Sequence, residues 1–176
     1  MTSQAITALA NMLSPHVPLG KTRLETLCLL IIGVISARTV NLSHVACERS
    51  GEVLIASTYR QLQRFFQHVA LGEDWSAGLV IRLLGLSGPW NLCLDRTNWK
   101  IGGRDVNILM LAVATRRFRV PLMWTVLDKA GNSNTQERVA LMQRYLALFG
   151  ADSVRLLLAD REFIGLKWLN FLNGKN

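Results

Sequence analysis

Cysteine is scarce in this sequence, and its three cysteines, Cys28, Cys47 and Cys93, are widely separated. An odd number at such spacings makes neither a disulfide framework nor a zinc-binding pattern, and is typical of a protein in a reducing compartment. The three histidines are equally isolated, and we assign none of them to a metal site. We therefore expect a cytoplasmic protein.

Long apolar runs are also lacking. The longest candidate, residues 27–37 (LCLLIIGVISA), is much shorter than the ~20 residues that a membrane-spanning helix needs. We predict a buried helix there, with membrane insertion as the minor alternative. The first basic residue is Lys21, so no positively charged region precedes an apolar segment near the start, and a signal peptide is not expected.

Acidic residues are outnumbered, because 12 Asp and Glu stand against 20 Lys and Arg and give a net charge of +8. Such a surplus suits a polyanionic partner such as nucleic acid. The surplus is uneven: residues 90–176 hold 13 basic and 7 acidic residues, whereas residues 1–89 hold 7 and 5. We expect most phosphate contacts in the second half. Half of the residues are hydrophobic, which excludes a disordered tail.

The first half of the chain has helical patterns. Residues 21–37 are mostly apolar, and Asn41 is a candidate cap for a short segment after them. Ser57 or Thr58 is predicted to cap a helix whose apolar residues recur at helical spacing: Leu62, Phe65, Phe66 and Val69. A further helix is predicted over 73–84. Glycines and Pro89 then interrupt the chain, so we place a boundary between a small all-α region, 1–88, and a second domain, 89–176.

The second half changes period and predicts an α/β domain. Two apolar runs flank a short charged turn and indicate a β-hairpin with Pro121 near the start of its second strand. Asn134 followed by Glu137 is typical of a capping box at the start of a helix that Gly150 ends. The predicted order is strand, strand, strand, helix, strand, helix, at 90–95, 106–115, 120–127, 134–149, 154–159 and 163–172.

Two acids end two apolar runs. Asp95 follows Leu-Cys-Leu and Asp160 follows Leu-Leu-Leu-Ala, and such runs suit strands that are buried on both faces. If the first and fourth strands are parallel neighbours, both carboxylates lie at one edge of the sheet, where open α/β sheets bind ligands. A divalent cation such as Mg²⁺ would relieve their repulsion.

An Asp after a strand is also a common turn former or helix cap, and Asp160 could cap the helix that follows. For either residue taken singly, capping is the better interpretation. Spacing alone leaves capping and metal binding evenly matched. The pair together, in this strand order and on a basic chain, favours a metal site.

Residues 94–100 (LDRTNWK) closely resemble the first-aspartate motif of insertion-sequence transposases of the "IS four" group, and 158–165 (LADREFIG) resemble the second-aspartate motif. Between these motifs, 120–124 (VPLMW) and 129–133 (KAGNS) are also similar to the family. The resemblance extends more weakly to the first half, at 39–43 (TVNLS) and 59–66 (YRQLQRFF).

The resemblance implies a partial RNase H-like fold and a bacterial DNA transposase, associated with the nucleoid. It further implies that two Asp and one Glu bind Mg²⁺ or Mn²⁺, with Asp95 and Asp160 as the catalytic metal ligands. The implied reaction is hydrolytic nicking at the transposon end, after which the freed 3′-OH attacks another strand. The implied partner is double-stranded DNA, both at the transposon ends and at the target. The resemblance is also compatible with a homodimer that binds paired transposon ends.

The sequence departs from the family at the third carboxylate. The family's Glu lies on a later helix within a Tyr, Arg, Glu, Lys motif, and residues 1–176 do not reach it. Glu162 follows Asp160 too closely to replace it. We therefore expect this chain alone not to cleave DNA efficiently, and expect an unpaired sheet edge where a fifth strand is absent. The alternatives are an inactive DNA-binding fragment or transposition inhibitor, and another RNase H-like nuclease.

Basic residues near the acids are candidates for contacts with the DNA backbone. Three flank the two aspartates: Arg96, Lys100 and Arg161. An ion pair that positions the aspartates is the competing interpretation for these three.

Further candidates for DNA contact lie on the hairpin turn and on the helix predicted near residue 60: Arg116, Arg117, Arg119, Arg60 and Arg64. A solvated turn and a solvated helix face are the alternatives for these two groups. Trp99 and Trp124 are predicted to be core residues rather than base-stacking platforms.

Overall fold

The computed structural model describes residues 3–51 and 53–174. They divide into two compact units, with the boundary between Trp75 and Ser76. The division falls earlier than the boundary that the glycines and Pro89 predicted, because the helix Ala77–Leu83 buries Ala77 in the same core as the sheet.

The first unit contains four helices in its described part: α1 (Ser3–Leu13), α2 (Lys21–Ala37), α3 (Leu42–Cys47) and α4 (Ile55–His68). The predicted buried helix over 27–37 is the second part of α2, and it is buried only in part: Leu27, Cys28 and Leu29 are buried, whereas Ile35 is 70% exposed. Across the described residues, no helix combines the length and the apolar character needed to cross a membrane.

Of the two helix caps predicted in the first unit, one is confirmed and the other is wrong. Asn41 caps α3, since its side-chain oxygen accepts a hydrogen bond from the Ser43 backbone N–H at 3.0 Å. The predicted cap at Ser57 or Thr58 is wrong, because α4 begins earlier, at Ile55, and Thr58 is buried within it. Of the apolar residues at helical spacing, Leu62 and Phe65 of α4 are buried, whereas Phe66 is exposed.

The second unit has the predicted order of elements. After α5 (Ala77–Leu83) come β1 (Trp90–Ile101), β2 (Arg104–Ala114), β3 (Arg119–Leu127), α6 (Thr135–Phe149), β4 (Val154–Ala159) and α7 (Leu166–Leu172). The strands form one mixed sheet in the order β3-β2-β1-β4. Pairing is antiparallel between β1 and β2 and between β2 and β3, and parallel between β1 and β4. The unit is therefore an α/β structure.

The first strand is longer than predicted. It was expected to end at Asp95, but β1 continues to Ile101 and pairs with β2 along its whole length. Gly102 and Gly103, both with positive φ (57° and 81°), connect Ile101 to its partner Arg104. Two residues with positive φ match the twist of a tight hairpin, so this Gly-Gly pair extends the strand.

The predicted hairpin and capping box are confirmed. The turn between β2 and β3 closes with a hydrogen bond from the Thr115 N–H to the Phe118 carbonyl at 2.9 Å. Pro121 lies opposite Ala112 at a register shift in β3, an outer strand, where a missing donor is tolerated. At the start of α6, the Asn134 side chain accepts from the Glu137 N–H, and the Glu137 carboxylate accepts from the Asn134 N–H.

The fourth strand is not buried on both faces as its apolar sequence predicted. β4 pairs only with β1 and forms an edge of the sheet in the described chain, which agrees with the expected unpaired edge. Leu156 and Leu158 are 50% and 42% exposed, because no further strand or helix of the described residues covers them. The helix predicted from Phe163 begins later, at Leu166, after a short 3₁₀ turn, Arg161–Phe163.

The core of the second unit lies on one face of the sheet. Strand residues from the middle of the sheet pack there with side chains of α6 and α7: Leu92, Leu94, Leu109, Leu111, Leu141, Tyr145 and Trp168. The other face is more open. Trp99 and Trp124 are exposed, so the prediction that they are core residues is wrong.

Candidate functional site

The two candidate aspartates follow directly after the parallel ladder between β1 and β4. The last Cα partners of this ladder are Leu94 and Ala159, and the next residues are Asp95 and Asp160. The condition set by the sequence, that the first and fourth strands are parallel neighbours, is therefore met. β4 ends at this point, whereas β1 continues beyond Asp95 in its pairing with β2.

Both aspartates line one cleft of about 420 Å³. The cleft is open to solvent along the edge of the sheet, and its lining combines the ends of the two strands with one basic side chain: Cys93, Leu94, Asp95, Arg119, Leu158, Ala159 and Asp160. Asp95 and Asp160 are the acidic residues that line the cleft, and Arg119 is the basic residue beside them. The cleft is thus a small polar site built on the parallel strand pair.

One oxygen of each aspartate is held by the backbone. The Arg96 N–H donates to Asp95 Oδ1 at 2.8 Å, and the Arg161 N–H donates to Asp160 Oδ1 at 2.6 Å. Asp160 thereby caps the 3₁₀ turn, and not the following helix as the alternative from the sequence had it, because α7 begins only after Gly165. Because each contact uses one carboxylate oxygen, capping and metal binding are compatible in this geometry.

Arg119 is the basic residue that reaches the cleft. Its Nη1 lies 3.8 Å from Asp95 Oδ2, and the two side chains are 64% and 52% exposed. An ion pair this exposed contributes little to stability, about 0–1 kcal/mol. Arg116 and Arg117, which the sequence grouped with Arg119, lie on the exposed hairpin turn and do not line the cleft.

Arg96 lies on the opposite face of β1 from Asp95, because neighbouring side chains of a strand alternate. Its guanidinium binds Glu162 through two contacts: Nε to Oε1 at 3.2 Å and Nη2 to Oε2 at 3.3 Å. This is the ion pair that the sequence raised as the alternative to DNA contact. Glu162 is thereby engaged in an ion pair and does not line the cleft.

The other predicted basic residues are exposed. Lys100 lies near the far end of β1, opposite Asp105, and does not line the cleft. Arg161 contributes its backbone N–H to Asp160, and its side chain is exposed. Arg60 and Arg64 are exposed on α4 in the first unit.

The donor set of the cleft fits a hard divalent cation in part. Mg²⁺ binds through one or two carboxylates and keeps positions for water and phosphate, and Asp95 and Asp160 supply two carboxylates. Within residues 3–51 and 53–174, no group of three or more His, Cys, Asp or Glu side chains could hold a metal ion. The two aspartates would therefore hold the cation with help from water or a phosphate.

Sequence reasoning did not identify Asn107 as a supporting residue. Asn107 is fully buried on β2, and its amide donates to the carbonyls of Lys129 and Gly131 at 3.1 and 2.7 Å. Its Oδ1 accepts from Arg96 at 3.4 Å. A lone polar residue inside the apolar run 106–115 was the available signal, since a buried polar side chain needs partners.

Comparisons with known proteins add no assignment: no family model, curated protein or solved structure matches the chain.

Proposed function

We propose that the second unit is part of a metal-dependent DNA transposase that cleaves and joins DNA strands at insertion-sequence ends. The observation that carries this proposal is the placement of Asp95 and Asp160 directly after the last partners of a parallel strand pair, in one cleft. Two sequence motifs that resemble those of the transposase family are thereby brought to the same edge of a sheet.

The sheet supports an RNase H-like assignment for this unit. The resemblance implies three antiparallel strands, a helix and then a strand, and the sheet order β3-β2-β1-β4 with parallel β1 and β4 is compatible with it. One acid on an inner strand and the other directly after a parallel neighbour place two carboxylates at the same edge of the sheet, as a two-aspartate metal site would have them.

The residues of the site have distinct proposed roles. Asp95 and Asp160 would hold Mg²⁺ or Mn²⁺, each with one oxygen fixed by a backbone N–H. When bound, such ions lower the pKa of an attacking water and stabilise the leaving 3′ oxygen. Arg119 in the cleft would contact the phosphate next to the cation, because its guanidinium is exposed and already beside Asp95.

DNA is the proposed partner of both units. Exposed arginines on the hairpin turn and on α4 supply phosphate contacts: Arg116, Arg117, Arg60 and Arg64. Lys100 and Arg161 are further candidates, whereas Arg96 is assigned to its ion pair with Glu162. A homodimer on paired transposon ends remains part of this proposal.

The cleft carries two carboxylates where the family implies three, and this favours one alternative. A DNA-binding fragment without efficient cleavage, or an inhibitor of transposition, is expected if residues 1–176 act alone. The described residues supply no third acid to the cleft.

Duplex binding in the presence and absence of metal tests the proposal. Fluorescence anisotropy with a labelled duplex should show salt-sensitive binding that Mn²⁺ strengthens. Asp95→Asn and Asp160→Asn should remove the effect of Mn²⁺ without weakening the metal-free binding, because each change removes a negative charge that repels the phosphates. Asp152→Asn, an exposed acid outside the cleft, is the matched control.

Two outcomes would separate the alternatives. Binding that is indifferent to Mn²⁺ and to both aspartates would contradict the metal site and support a plain DNA-binding fragment. Preferential binding and metal-dependent cutting of RNA–DNA hybrids would instead support an RNase H-like nuclease. Mg²⁺-dependent nicking of plasmid DNA that Asp95→Asn abolishes would contradict the expectation that the two carboxylates are insufficient.

A further inference from the structure

The ion pair between Arg96 and Glu162 joins two segments that are distant in sequence. The residues are 66 positions apart, and the guanidinium meets the carboxylate through both oxygens. The two side chains are only 15% and 27% exposed. A two-point contact between a guanidinium and a carboxylate fixes direction as well as distance, so this pair constrains how the two segments lie.

The two segments are those that follow the candidate metal ligands. Arg96 is the residue after Asp95 and also donates its backbone N–H to that carboxylate. Glu162 is two residues after Asp160, in the 3₁₀ turn whose first N–H, from Arg161, is donated to Asp160. The ion pair therefore connects Arg96, the backbone donor to Asp95, with the residue after Arg161, the backbone donor to Asp160.

The arginine is itself held by neighbours. Its Nη1 donates to Asn107 Oδ1 at 3.4 Å, and its Nη2 donates to Asn132 Oδ1 at 3.0 Å. Asn107 is fully buried and fixed by two backbone carbonyls. The guanidinium thus has two partners besides Glu162, which restrict its position.

The turn that carries Glu162 has a second anchor. Phe163 is buried, and the Arg138 guanidinium of α6 lies 5.3 Å from the centre of its ring. The edge strand β4 lacks a partner on its outer side in the described chain, so its end depends on such contacts for its position. The Arg96–Glu162 ion pair adds a side-chain contact between the turn after β4 and β1, beyond the end of their backbone ladder.

We propose that Arg96 and Glu162 are positioning residues that set the separation and orientation of Asp95 and Asp160 for a divalent cation. The inference rests on the proposed function, because it assigns to the ion pair a role in the same metal site. Neither residue touches the cation. Partners of metal ligands typically change metal affinity by roughly 10- to 100-fold when they are removed.

The sign of the effect distinguishes positioning from charge alone. Removing the positive charge of Arg96 near the aspartates would, through electrostatics alone, strengthen cation binding, whereas removing the negative charge of Glu162 would weaken it. Positioning predicts that both changes weaken binding. It also predicts that the two changes together weaken binding no further than either one alone, because the effects of substituting two residues of the same interaction are not additive.

The experiment measures the dissociation constant of Mn²⁺ by electron paramagnetic resonance with the whole 176-residue chain. We expect Arg96→Gln and Glu162→Gln each to weaken binding by about tenfold or more, and the double variant to lie within about twofold of the single variants. Lys129→Gln breaks another ion pair of this unit, Lys129–Glu137 at 2.8 Å, and should leave Mn²⁺ affinity unchanged.

Arg96→Lys keeps the charge and loses the two-point contact, so it remains informative if Arg96→Gln unfolds. It should still weaken Mn²⁺ binding at a melting temperature near that of the unchanged chain. Binding by Arg96→Gln or Arg96→Lys that equals or exceeds that of the unchanged chain would overturn the inference and leave the proposed function standing. If Asp95→Asn binds Mn²⁺ as tightly as the unchanged chain, both the inference and the proposed function are overturned.

Discussion

Leu94 of β1 and Ala159 of β4 are the last Cα partners of the parallel ladder, and an aspartate follows each of them. This register brings Asp95 and Asp160, which are far apart in sequence, to one cleft at the edge of the sheet. A shift of β4 by one residue would turn its side chains to the other face, so the register is a condition of the site. The proposed metal chemistry depends on this one relationship.

Arg119 should compete with a cation for Asp95. Its Nη1 lies 3.8 Å from Asp95 Oδ2, but both side chains are largely exposed. Arg119→Gln should therefore tighten Mn²⁺ binding by only roughly two- to fivefold, as expected for a screened charge. It should also weaken duplex binding and reduce its salt dependence.

Arg117→Gln is the matched control for this prediction, because Arg117 lies on the exposed turn outside the cleft. It should leave Mn²⁺ affinity unchanged. If both variants shifted Mn²⁺ affinity equally, the contact between Arg119 and Asp95 would have no specific effect.

Asn107 should be important for stability. Asn107→Ala removes the donors for the Lys129 and Gly131 carbonyls and leaves the Arg96 guanidinium with one acceptor fewer. We expect the free energy of unfolding in urea to fall by about 2–3 kcal/mol, since buried groups lose their partners. Asn98→Ala, at the exposed position directly opposite on β1, should change it by less than about 0.5 kcal/mol. Equal losses in the two variants would argue against this network.

The capping box of α6 offers a separate test of local structure. Asn134→Ala removes the acceptor of the Glu137 N–H, at 2.9 Å, and should lower the free energy of unfolding by about 1 kcal/mol. Gln136→Ala changes an exposed residue of the same turn and should have almost no effect. Thermal unfolding followed by circular dichroism would measure both variants. An Asn134→Ala variant as stable as the unchanged chain would show that the cap contributes nothing to stability.

The three cysteines should differ in reactivity. Cys47 is exposed, whereas Cys28 and Cys93 are buried. Burial, together with the nearby Glu25 carboxylate, raises the pKa of the Cys28 thiol and so lowers its thiolate fraction at neutral pH. Titration with an aromatic disulfide reagent at pH 8 should show one fast thiol, which Cys47→Ser removes. Two or three fast thiols in the folded chain would contradict the burial of Cys28 and Cys93.

The order of elements in the second unit could be predicted because its signals are local. Apolar runs, the charged turn at 116–119 and the Asn134–Glu137 capping box each depend on a few neighbouring residues. The placement of Asp95 and Asp160 followed from one added assumption, that the first and fourth strands are parallel neighbours.

The features that sequence reasoning missed depend on tertiary neighbours. An apolar run cannot show which elements cover a strand, so β4 was expected to be buried on both faces although Leu156 and Leu158 are exposed. Trp99 and Trp124 were placed in the core for the same reason. The contact between Arg96 and Glu162 spans 66 positions, and no local pattern predicts a pair at that distance.

Cleavage of the polypeptide by bound iron tests the central proposal most directly. Fe²⁺ binds at Mg²⁺ sites, and with ascorbate and peroxide it generates radicals that cut the backbone near the ion. We expect cuts close to both Asp95 and Asp160, suppressed by excess Mg²⁺ and absent from the Asp95→Asn and Asp160→Asn variants. Cuts near only one aspartate, or a pattern that both variants retain, would contradict a shared metal site in this cleft.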